Sequence, residues 1–310
     1  MFFQFIFPKI TDIEIPLTLD GFLSGPTSTS ASTLPIHQNI KTYSHKVADN
    51  TVEIVGHVVL TEPAFWTPSL PMLYTIKCKI MSSAREVISL HQTIGLRRFG
   101  IRKHSLWLDG HRFVVRGITC GKVDSNSFDK QISTAKEQNT TEIIDLSSDG
   151  SCSHGELPKL DSHLQKSDET GRPTIIRIQT ETCSSAMPNI LCTLANHPSV
   201  FITVIPPSLL PELENFTLFK GTMLFAIEVS GESASPEIPS GIDVAIVQLT
   251  NSEPEASWKK PPSYPIIAWN KEFASQRQEC DRLQAALAHW RNSSGSPPST
   301  WDWAGFLVGN

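Results

Sequence analysis

Residues Leu108 to Ile118 read L-D-G-H-R-F-V-V-R-G-I, and the character of the sequence changes at this stretch. Asp109–Gly110 is a dipeptide that a two-residue type I′ hairpin turn favours, because both central residues of that turn need a positive φ. The run Phe113–Ile118 that follows is apolar on mostly consecutive positions, which indicates a strand buried on both faces. The sequence before this stretch and the sequence after it therefore predict different architectures.

Before residue 100 the sequence indicates short strands without helical periodicity. The segment Tyr74–Ile80, Y-T-I-K-C-K-I, alternates between apolar and polar residues, so Ile76 and Cys78 are predicted to face a core. Similar strand patterns occupy Phe3–Phe7, Thr51–Leu60 and Val87–Thr93, and the Ser/Thr/Gly/Pro-rich stretch Leu23–Leu34 is predicted to be a loop. Together they predict an immunoglobulin-like antiparallel β-sandwich over residues 1–100.

After the hairpin, short apolar runs alternate with helical patterns. The eight runs are Phe113–Ile118, Thr141–Leu146, Thr174–Ile178, Val200–Ile205, Thr222–Val229, Ile242–Leu249, Pro265–Trp269 and Trp303–Val308. Helical patterns cover Phe128–Gln138, Leu157–Lys166, Met187–Ala195 and Lys271–Arg291, the last with Asn270 as its predicted N-cap. Eight such strands predict a (β/α)8 barrel over residues 101–310, and an open parallel sheet is the alternative.

The predicted barrel lacks some of its helices. The connections Ser230–Gly241 and Thr250–Tyr264 contain Ser, Pro and Gly where a helix would be expected. The fold class that the sequence predicts is therefore multidomain: an antiparallel β-sandwich followed by a compact, partly helix-stripped (β/α)8 barrel.

Composition excludes several classes of partner. The net charge is −5 over 310 residues, so nothing favours binding to nucleic acid or to an anionic membrane. The six cysteines form no C-x-x-C pair and the ten histidines form no H-E-x-x-H motif, so we expect no metal and no cofactor. The opening residues lack a basic n-region and no long apolar run follows, so a cytoplasmic location is the default expectation.

Three ordered motifs carry a resemblance to a known family. They are F-W-T-P-S-L-P-M-L-Y-T-I (Phe65–Ile76), I-G-L-R-R-F (Ile94–Phe99) and the opening stretch Leu108–Ile118. This order resembles glycoside hydrolase family 2, which contains β-galactosidases, β-glucuronidases and β-mannosidases. Further along, N-H-P-S, Y-P-I-I-A-W-N and A-G-F-L-V-G-N resemble the family's fourth, seventh and eighth barrel strands; they occupy Asn196–Ser199, Tyr264–Asn270 and Ala304–Asn310.

The resemblance covers nearly the whole chain and implies an immunoglobulin-like sandwich followed by a reduced TIM barrel, without the family's jelly-roll sugar-binding domain. It implies a carbohydrate as the partner. In the family, two glutamates at the ends of the fourth and seventh strands act as proton donor and nucleophile. Their positions in this sequence hold Ser208 and Asn270, so no catalytic residue is expected. A hydroxyl and an amide cannot replace these carboxyl groups.

One family position is retained at the first barrel strand. Arg116 persists there and is a candidate substrate-binding residue, although pairing with an acid inside the barrel is an equal alternative. The neighbouring family positions Asn, His and Glu hold Thr119, Gly121 and Lys122. Residues that build the scaffold match the family, and residues that perform its chemistry do not.

Three functions follow as hypotheses. The first is a degenerate, non-hydrolytic relative, a pseudoenzyme that binds carbohydrate or acts as an interaction module. The second is an active β-glycosidase with relocated carboxylates, Glu228 together with Asp145 or Glu181. The third is a structural protein in which the sandwich mediates assembly. The aromatic residues Trp258, Trp301 and Trp303, taken as exposed near loops, leave it open, because they could serve sugar stacking, partner contact or simple packing, with packing as the default explanation.

Overall fold

The computed structural model of the protein describes residues 2–8, 17–47, 51–82, 85–123, 128–146, 156–179, 186–219, 221–251, 253–260, 262–293 and 301–310. The chain divides into two compact units, with the division between Leu96 and Arg97. No helix within these ranges has the length and the apolar composition to cross a bilayer.

The first unit is built on six antiparallel strands. These are β1 (Phe2–Pro8), β2 (Leu17–Thr27), β3 (Ile36–Val47), β4 (Thr51–His57), β5 (Leu73–Ser82) and β6 (Arg85–Ile94). Their order is β1-β4-β3-β2-β5-β6. Strand β5 buries Ile76 and Cys78 on one face and exposes Lys77 and Lys79 on the other, so the predicted alternation is confirmed.

The predicted loop Leu23–Leu34 is wrong in its first part. Strand β2 continues to Thr27, and the irregular segment covers only residues 28–35. Strand β2 pairs with β3 on one side and with β5 on the other, and Leu23 is fully buried in the core. Hydrogen bonding on both edges and core packing therefore override the local turn composition.

A small three-stranded sheet opens the second unit. It consists of β7 (Phe99–Arg102), β8 (Ser105–Leu108) and β9 (His111–Phe113). Between β8 and β9, Asp109 has φ 48° and Gly110 has φ 80°. Two consecutive positive φ values define the type I′ turn, and the predicted hairpin is confirmed.

Eight parallel strands then close into a barrel, so the open-sheet alternative is wrong. The strands are β10 (Val115–Lys122), β11 (Thr141–Leu146), β12 (Thr174–Ile178), β13 (Val200–Val204), β14 (Leu224–Ser230), β15 (Val244–Leu249), β16 (Ile266–Asn270) and β17 (Gly305–Val308). Strand β17 pairs with both β16 and β10, which closes the sheet. The first barrel strand begins at Val115 rather than at Phe113, because Phe113 ends β9.

The α-helices cover only part of the barrel. They are α1 (Phe128–Glu137), α2 (Glu156–Thr170), α3 (Met187–Ala195) and α4 (Arg277–Asn292). In the described chain, the connection from β14 to β15 has no helix and that from β15 to β16 has one 3-10 turn, Ala256–Lys259. The partly helix-stripped barrel is therefore confirmed. Helix α4 starts six residues later than the sequence predicts, with Gln276 as its N-cap residue.

The N-terminal ends of the barrel strands hold two buried polar clusters. In the first, the fully buried carboxylate of Glu142 on β11 accepts a hydrogen bond from Arg172, and His163 Nε2 of α2 lies 2.8 Å from Glu142 Oε2. Ser167 also donates to Glu142 Oε2, at 3.4 Å. Both oxygens of the Glu142 carboxylate therefore have hydrogen-bonding partners, as a buried charge requires.

The second cluster surrounds His197, which lies three residues before the start of β13. Its Nδ1 lies 2.7 Å from Asp168 Oδ2 and its Nε2 lies 3.1 Å from Asp161 Oδ1. Each ring nitrogen faces a carboxylate oxygen, an arrangement that favours the doubly protonated imidazolium, in which both nitrogens donate. Burial lowers the pKa of His197, but the hydrogen bonds and charges of Asp168 and Asp161 outweigh it and raise the pKa above its usual value.

Candidate binding site at the barrel mouth

Charged side chains converge at the C-terminal ends of the barrel strands, which we call the mouth. Asp145 is the second-last residue of β11, Arg177 the second-last of β12, Glu228 lies near the end of β14, and Lys271 follows β16. An apolar residue immediately precedes each of the three strand residues, and Asn270 precedes Lys271. Parallel strands bring their carboxyl ends to one side of a barrel, so residues distant in sequence meet there.

Arg177 and Asp145 form a bidentate ion pair. The Nε and Nη2 atoms of Arg177 each lie 2.6 Å from one carboxylate oxygen of Asp145. The two side chains are 13% and 9% exposed. A fork-to-fork pair in such a partly dry position is among the stronger hydrogen-bonded contacts in proteins. Both oxygens of Asp145 are therefore engaged.

Glu228 is held more loosely. Gln248 Nε2 donates a hydrogen bond to Glu228 Oε2. Arg177 Nη1 lies 3.7 Å from Oε1, and Lys271 Nζ lies 3.8 Å from Oε2. These two distances exceed hydrogen-bond length, so both cations contribute attraction without a direct bond to Glu228. The Nη1 atom of Arg177 and the Nζ atom of Lys271 therefore lie next to Glu228 without a hydrogen bond to it.

Trp269 lies beneath both cations. Arg177 Cζ is 4.7 Å and Lys271 Nζ is 4.4 Å from the centre of its ring, within the range of cation–π attraction. The indole is 1% exposed and its Nε1 donates to the carbonyl of Gly309 at 2.9 Å. The ring is thus fixed in place and positions the two cations.

A cavity of about 250 Å³ opens between these groups. Its lining consists of Arg177, Ile178, Gln179, Val204, Ile205, Pro206, Pro207, Glu228, Lys271 and Asn310. Burial lowers the pKa of the Lys271 amine; the Glu228 charge opposes this, Arg177 reinforces it and Asp145 opposes it, leaving the pKa below its usual value. The mouth therefore presents a desolvated amine, a guanidinium and a carboxylate to one small space.

The two positions that the sequence resemblance assigns to the catalytic glutamates of glycoside hydrolase family 2 have different surroundings. Ser208 is exposed, at the start of the 3-10 segment Pro207–Phe219 that follows β13. Asn270 is 1% exposed, and its Oδ1 accepts the backbone N–H groups of Glu272 at 2.9 Å and Phe273 at 3.2 Å. It caps the turn after β16 rather than the first turn of α4.

Arg116 lies near the N-terminal end of β10, away from the mouth. Its Nε donates to Asp281 Oδ1 at 3.0 Å, and its Nη2 donates to Gln284 on the same helix, α4. The ion-pair interpretation matches this geometry, but the acid lies on a helix and not inside the barrel. The other predicted candidate, Glu181, lies outside the described residues.

The three tryptophans predicted to be exposed are buried. Trp258 is 0%, Trp301 is 4% and Trp303 is 1% exposed. The indole of Trp258 donates to the Ser233 carbonyl at 2.8 Å, and that of Trp301 to the Lys259 carbonyl at 3.2 Å. The default explanation, simple packing, is therefore confirmed, and the exposure of these tryptophans for partner contact is wrong.

Sequence reasoning missed Arg177, Gln248, Trp269 and Lys271. A signal was available, since Arg177 interrupts the apolar run T-I-I-R-I one residue before its end, and Lys271 directly follows A-W-N.

Within the described part of the chain, no three His, Cys, Asp or Glu side chains form a group that could hold a metal ion. Burial raises the pKa of the Cys280 thiol to about 12, so this thiol is unreactive.

Several solved structures have a fold similar to that of this chain. No protein-family profile matches the chain, and no curated protein matches it. Among solved structures, a glycosyl hydrolase family 2 member from Bacteroides cellulosilyticus aligns with 99% of this chain at 13% identity and a TM-score of 0.60. A β-glucuronidase from Bifidobacterium dentium aligns with 94% at 12% identity and a TM-score of 0.59.

A third neighbour is β-glucuronidase 2 from Bacteroides uniformis, with a TM-score of 0.55 at 14% identity over 99% of this chain. The predicted resemblance to glycoside hydrolase family 2 is therefore confirmed at the level of fold. The chain spans 43% of the length of each of the two Bacteroides proteins.

Proposed function

We propose that this protein binds carbohydrate at the barrel mouth without hydrolysing glycosidic bonds. The observation that carries the proposal is the state of Ser208 and Asn270. The first is an exposed hydroxyl, and the second is a buried amide whose oxygen caps a turn. These residues stand at the positions where the family's two catalytic carboxyl groups are expected.

The chemistry of retaining hydrolysis supports this proposal. Such enzymes need two carboxyl groups about 5–5.5 Å apart, one to protonate the leaving oxygen and one to attack the anomeric carbon. A serine hydroxyl is too weak an acid for the first role, and an amide oxygen is too weak a nucleophile for the second. The chain therefore combines a glycosidase-like fold with side chains that cannot perform retaining hydrolysis at these two positions.

The polar groups of the mouth suit a hydroxyl-rich ligand. Arg177 and Lys271 supply donors, and Glu228 supplies acceptors around one small cavity. A sugar hydroxyl both donates and accepts, so it pairs with either kind of group. The two cations are balanced by Asp145 and Glu228, so the arrangement favours a neutral sugar over a strongly charged one.

We also propose the division into an immunoglobulin-like sandwich over residues 1–100 and a barrel domain over 101–310. The antiparallel pairing of the strands before residue 97 and the closed parallel sheet after residue 114 support this division. An interaction role for the first region, alongside carbohydrate binding by the second, is part of the same proposal.

Turnover and binding assays test the function together. We expect no release of nitrophenol from nitrophenyl β-galactoside, β-glucuronide or β-mannoside, and we expect binding on a glycan array. Glu228→Gln should weaken that binding at least tenfold, which corresponds to about 1.4 kcal/mol. Glu169→Gln, an exposed position on α2, is the matched control and should bind normally. Turnover that Glu228→Gln abolishes would refute the proposal.

An active β-glycosidase is the second candidate, because Asp145 and Glu228 both contact Arg177 at the mouth. In that case Glu228→Gln and Asp145→Asn should each reduce turnover by about two orders of magnitude or more. Turnover that survives both changes would exclude this pair of carboxylates, and Glu181 would remain the predicted partner to test.

A further inference from the structure

Lys271 has an environment that no role in sugar cleavage explains. Its side chain is 33% exposed, and its Nζ borders the cavity at the mouth. The amine lies 4.4 Å from the ring centre of the buried Trp269, which holds one face of it away from water. The amine is therefore held between the indole and Glu228, at the edge of the cavity.

Three charged neighbours set the protonation of this amine. Arg177 lies over the same indole ring, and its charge opposes a second cation nearby. Glu228 and Asp145 favour the cation, but burial is the largest influence and the pKa of Lys271 is lowered. Desolvation and an adjacent cation are the two features that convert a lysine into a nucleophile.

We propose that Lys271 captures small aldehydes in the mouth cavity as a Schiff base. The neutral amine attacks the carbonyl carbon, the C–N bond forms and the π electrons of the carbonyl move to oxygen. A proton passes from nitrogen to that oxygen, giving a carbinolamine. The C–O bond then breaks, the oxygen leaves as water, and an imine remains. Amine and aldehyde give imine and water, so the step needs neither oxidant nor reductant.

The neighbours of Lys271 match the proton transfers of this step. Glu228 Oε2 lies 3.8 Å from Nζ, so it takes the nitrogen's proton and returns it to the departing hydroxyl after a small approach or through one water molecule. The Nη1 of Arg177 lies 3.7 Å from the other oxygen of Glu228 and faces the same region, where it stabilises the developing alkoxide.

The cavity limits the size of the aldehyde. Its volume of about 250 Å³ lies below the range of about 300–1,000 Å³ that drug-sized ligands occupy. A short, hydroxylated aldehyde such as glycolaldehyde fits the volume and the polar lining. This inference goes beyond carbohydrate binding, and it holds whether or not the barrel cleaves glycosides, because it requires neither Ser208 nor Asn270.

Reductive trapping tests the proposal. The protein is exposed briefly to limiting glycolaldehyde with cyanoborohydride, which reduces an imine to a stable secondary amine, and each lysine is quantified by peptide mass spectrometry. Lys259 is the matched internal control, because it is also partly buried and lies 5.1 Å from a tryptophan ring centre. At pH 7 we expect Lys271 to be labelled several-fold more than Lys259, since the free-amine fraction rises about tenfold for each unit by which a pKa falls.

The labelling ratio has a predictable pH dependence. It should fall towards one as the pH approaches about 10.4, where ordinary lysines also lose their protons. Unfolding the protein in urea should remove the preference, and Lys259→Arg should leave labelling of Lys271 unchanged. A labelling ratio of one or less at pH 7 in the folded wild-type protein would overturn the proposal, and this test requires no variant at Lys271. Loss of sugar binding or gain of turnover would not affect this result, so the two proposals fail separately.

Discussion

The two ends of the barrel hold charged side chains of similar kinds, and they differ in how completely those charges are hydrogen-bonded. At the N-terminal end, Glu142 and His197 are almost inaccessible and are surrounded by partners at hydrogen-bond distance. At the mouth, Arg177 and Lys271 approach Glu228 only to 3.7 and 3.8 Å and border a cavity. At the N-terminal end the charged groups are fully paired within the protein. At the mouth, Arg177 and Lys271 retain donors that a ligand can use.

The two ends of the sheet are therefore suited to different roles, the N-terminal end to stability and the mouth to binding. Removing one partner of a buried charge leaves that charge without compensation, so it strongly destabilises the fold. A charge beside a cavity, with solvent or ligand as a further partner, depends much less on its protein neighbours. The position of each cluster agrees with the general division of labour in such barrels, in which the C-terminal end carries function.

The largest expected effect lies in the Glu142 cluster. Arg172→Leu should lower the free energy of unfolding by about 3–5 kcal/mol, because the Glu142 carboxyl group, which has no exposed surface, would lose its ion-pair partner. Urea denaturation measures the change. Arg98→Leu is the control: it breaks an ion pair with Asp109 that is 64% and 37% exposed, and it should cost less than about 1 kcal/mol. Equal losses of unfolding free energy in the two variants would show that the Glu142 ion pair is no more important for stability than an exposed one.

The next effect concerns Asn270 at the mouth. Asn270→Ala should lower the free energy of unfolding by about 2 kcal/mol, because the N–H groups of Glu272 and Phe273 lose their shared acceptor. Asn270→Asp keeps an acceptor of the same length and should recover most of the loss. If the alanine variant were as stable as the wild type, Asn270 would have no capping role, and its amide would be available for a ligand.

Much of the fold was predictable, because strand burial and turn chemistry are local properties of a sequence. All eight predicted apolar runs overlap a barrel strand, and Asp109–Gly110 forms the predicted turn. The scaffold motifs also have a physical role: Arg97 from I-G-L-R-R-F donates to the carbonyl of Pro198 in N-H-P-S. The start of α4 was not predictable from periodicity, since residues 271–276 continue the apolar stripe but form turns.

The site was much less predictable than the fold. Asp145 and Glu228 were found as acids near strand ends, but nothing local shows that Arg177, 32 residues from Asp145, contacts both. Such pairing depends on the register between neighbouring strands, which the barrel closure fixes. The burial of Trp301 and Trp303 depends likewise on tertiary packing, whereas their position near predicted loops left exposure open.

A smaller effect is expected from pH at the His197 cluster, where Asp168, Asp161 and the nearby Arg97 are the charged neighbours. The folded pKa of His197 is raised above an unfolded value of about 6.5. Its contribution to stability is therefore complete below about pH 6.5 and is lost as the pH rises through the folded pKa. The contribution amounts to about 1.4 kcal/mol for each pH unit that separates the folded pKa from the unfolded one.

The comparison of wild type with His197→Gln isolates this contribution, because the other titrating groups are common to both proteins. The difference in unfolding free energy should be larger at pH 6 than at pH 9. A difference that stays constant, or that grows with pH, would mean that the imidazolium between the two aspartates does not stabilise the folded state.

The smallest effect is expected for Lys271→Met. The Glu228 carboxylate keeps Gln248 and Arg177, and the lost amine is 33% exposed, so solvent already screens much of its attraction. We expect the free energy of unfolding to change by less than about 1 kcal/mol, with the lost cation–π contact included. Thermal and urea denaturation measure it. A loss as large as that of Arg172→Leu would show that the mouth is as tightly paired as the opposite end, and its available donors could no longer be assigned to a ligand.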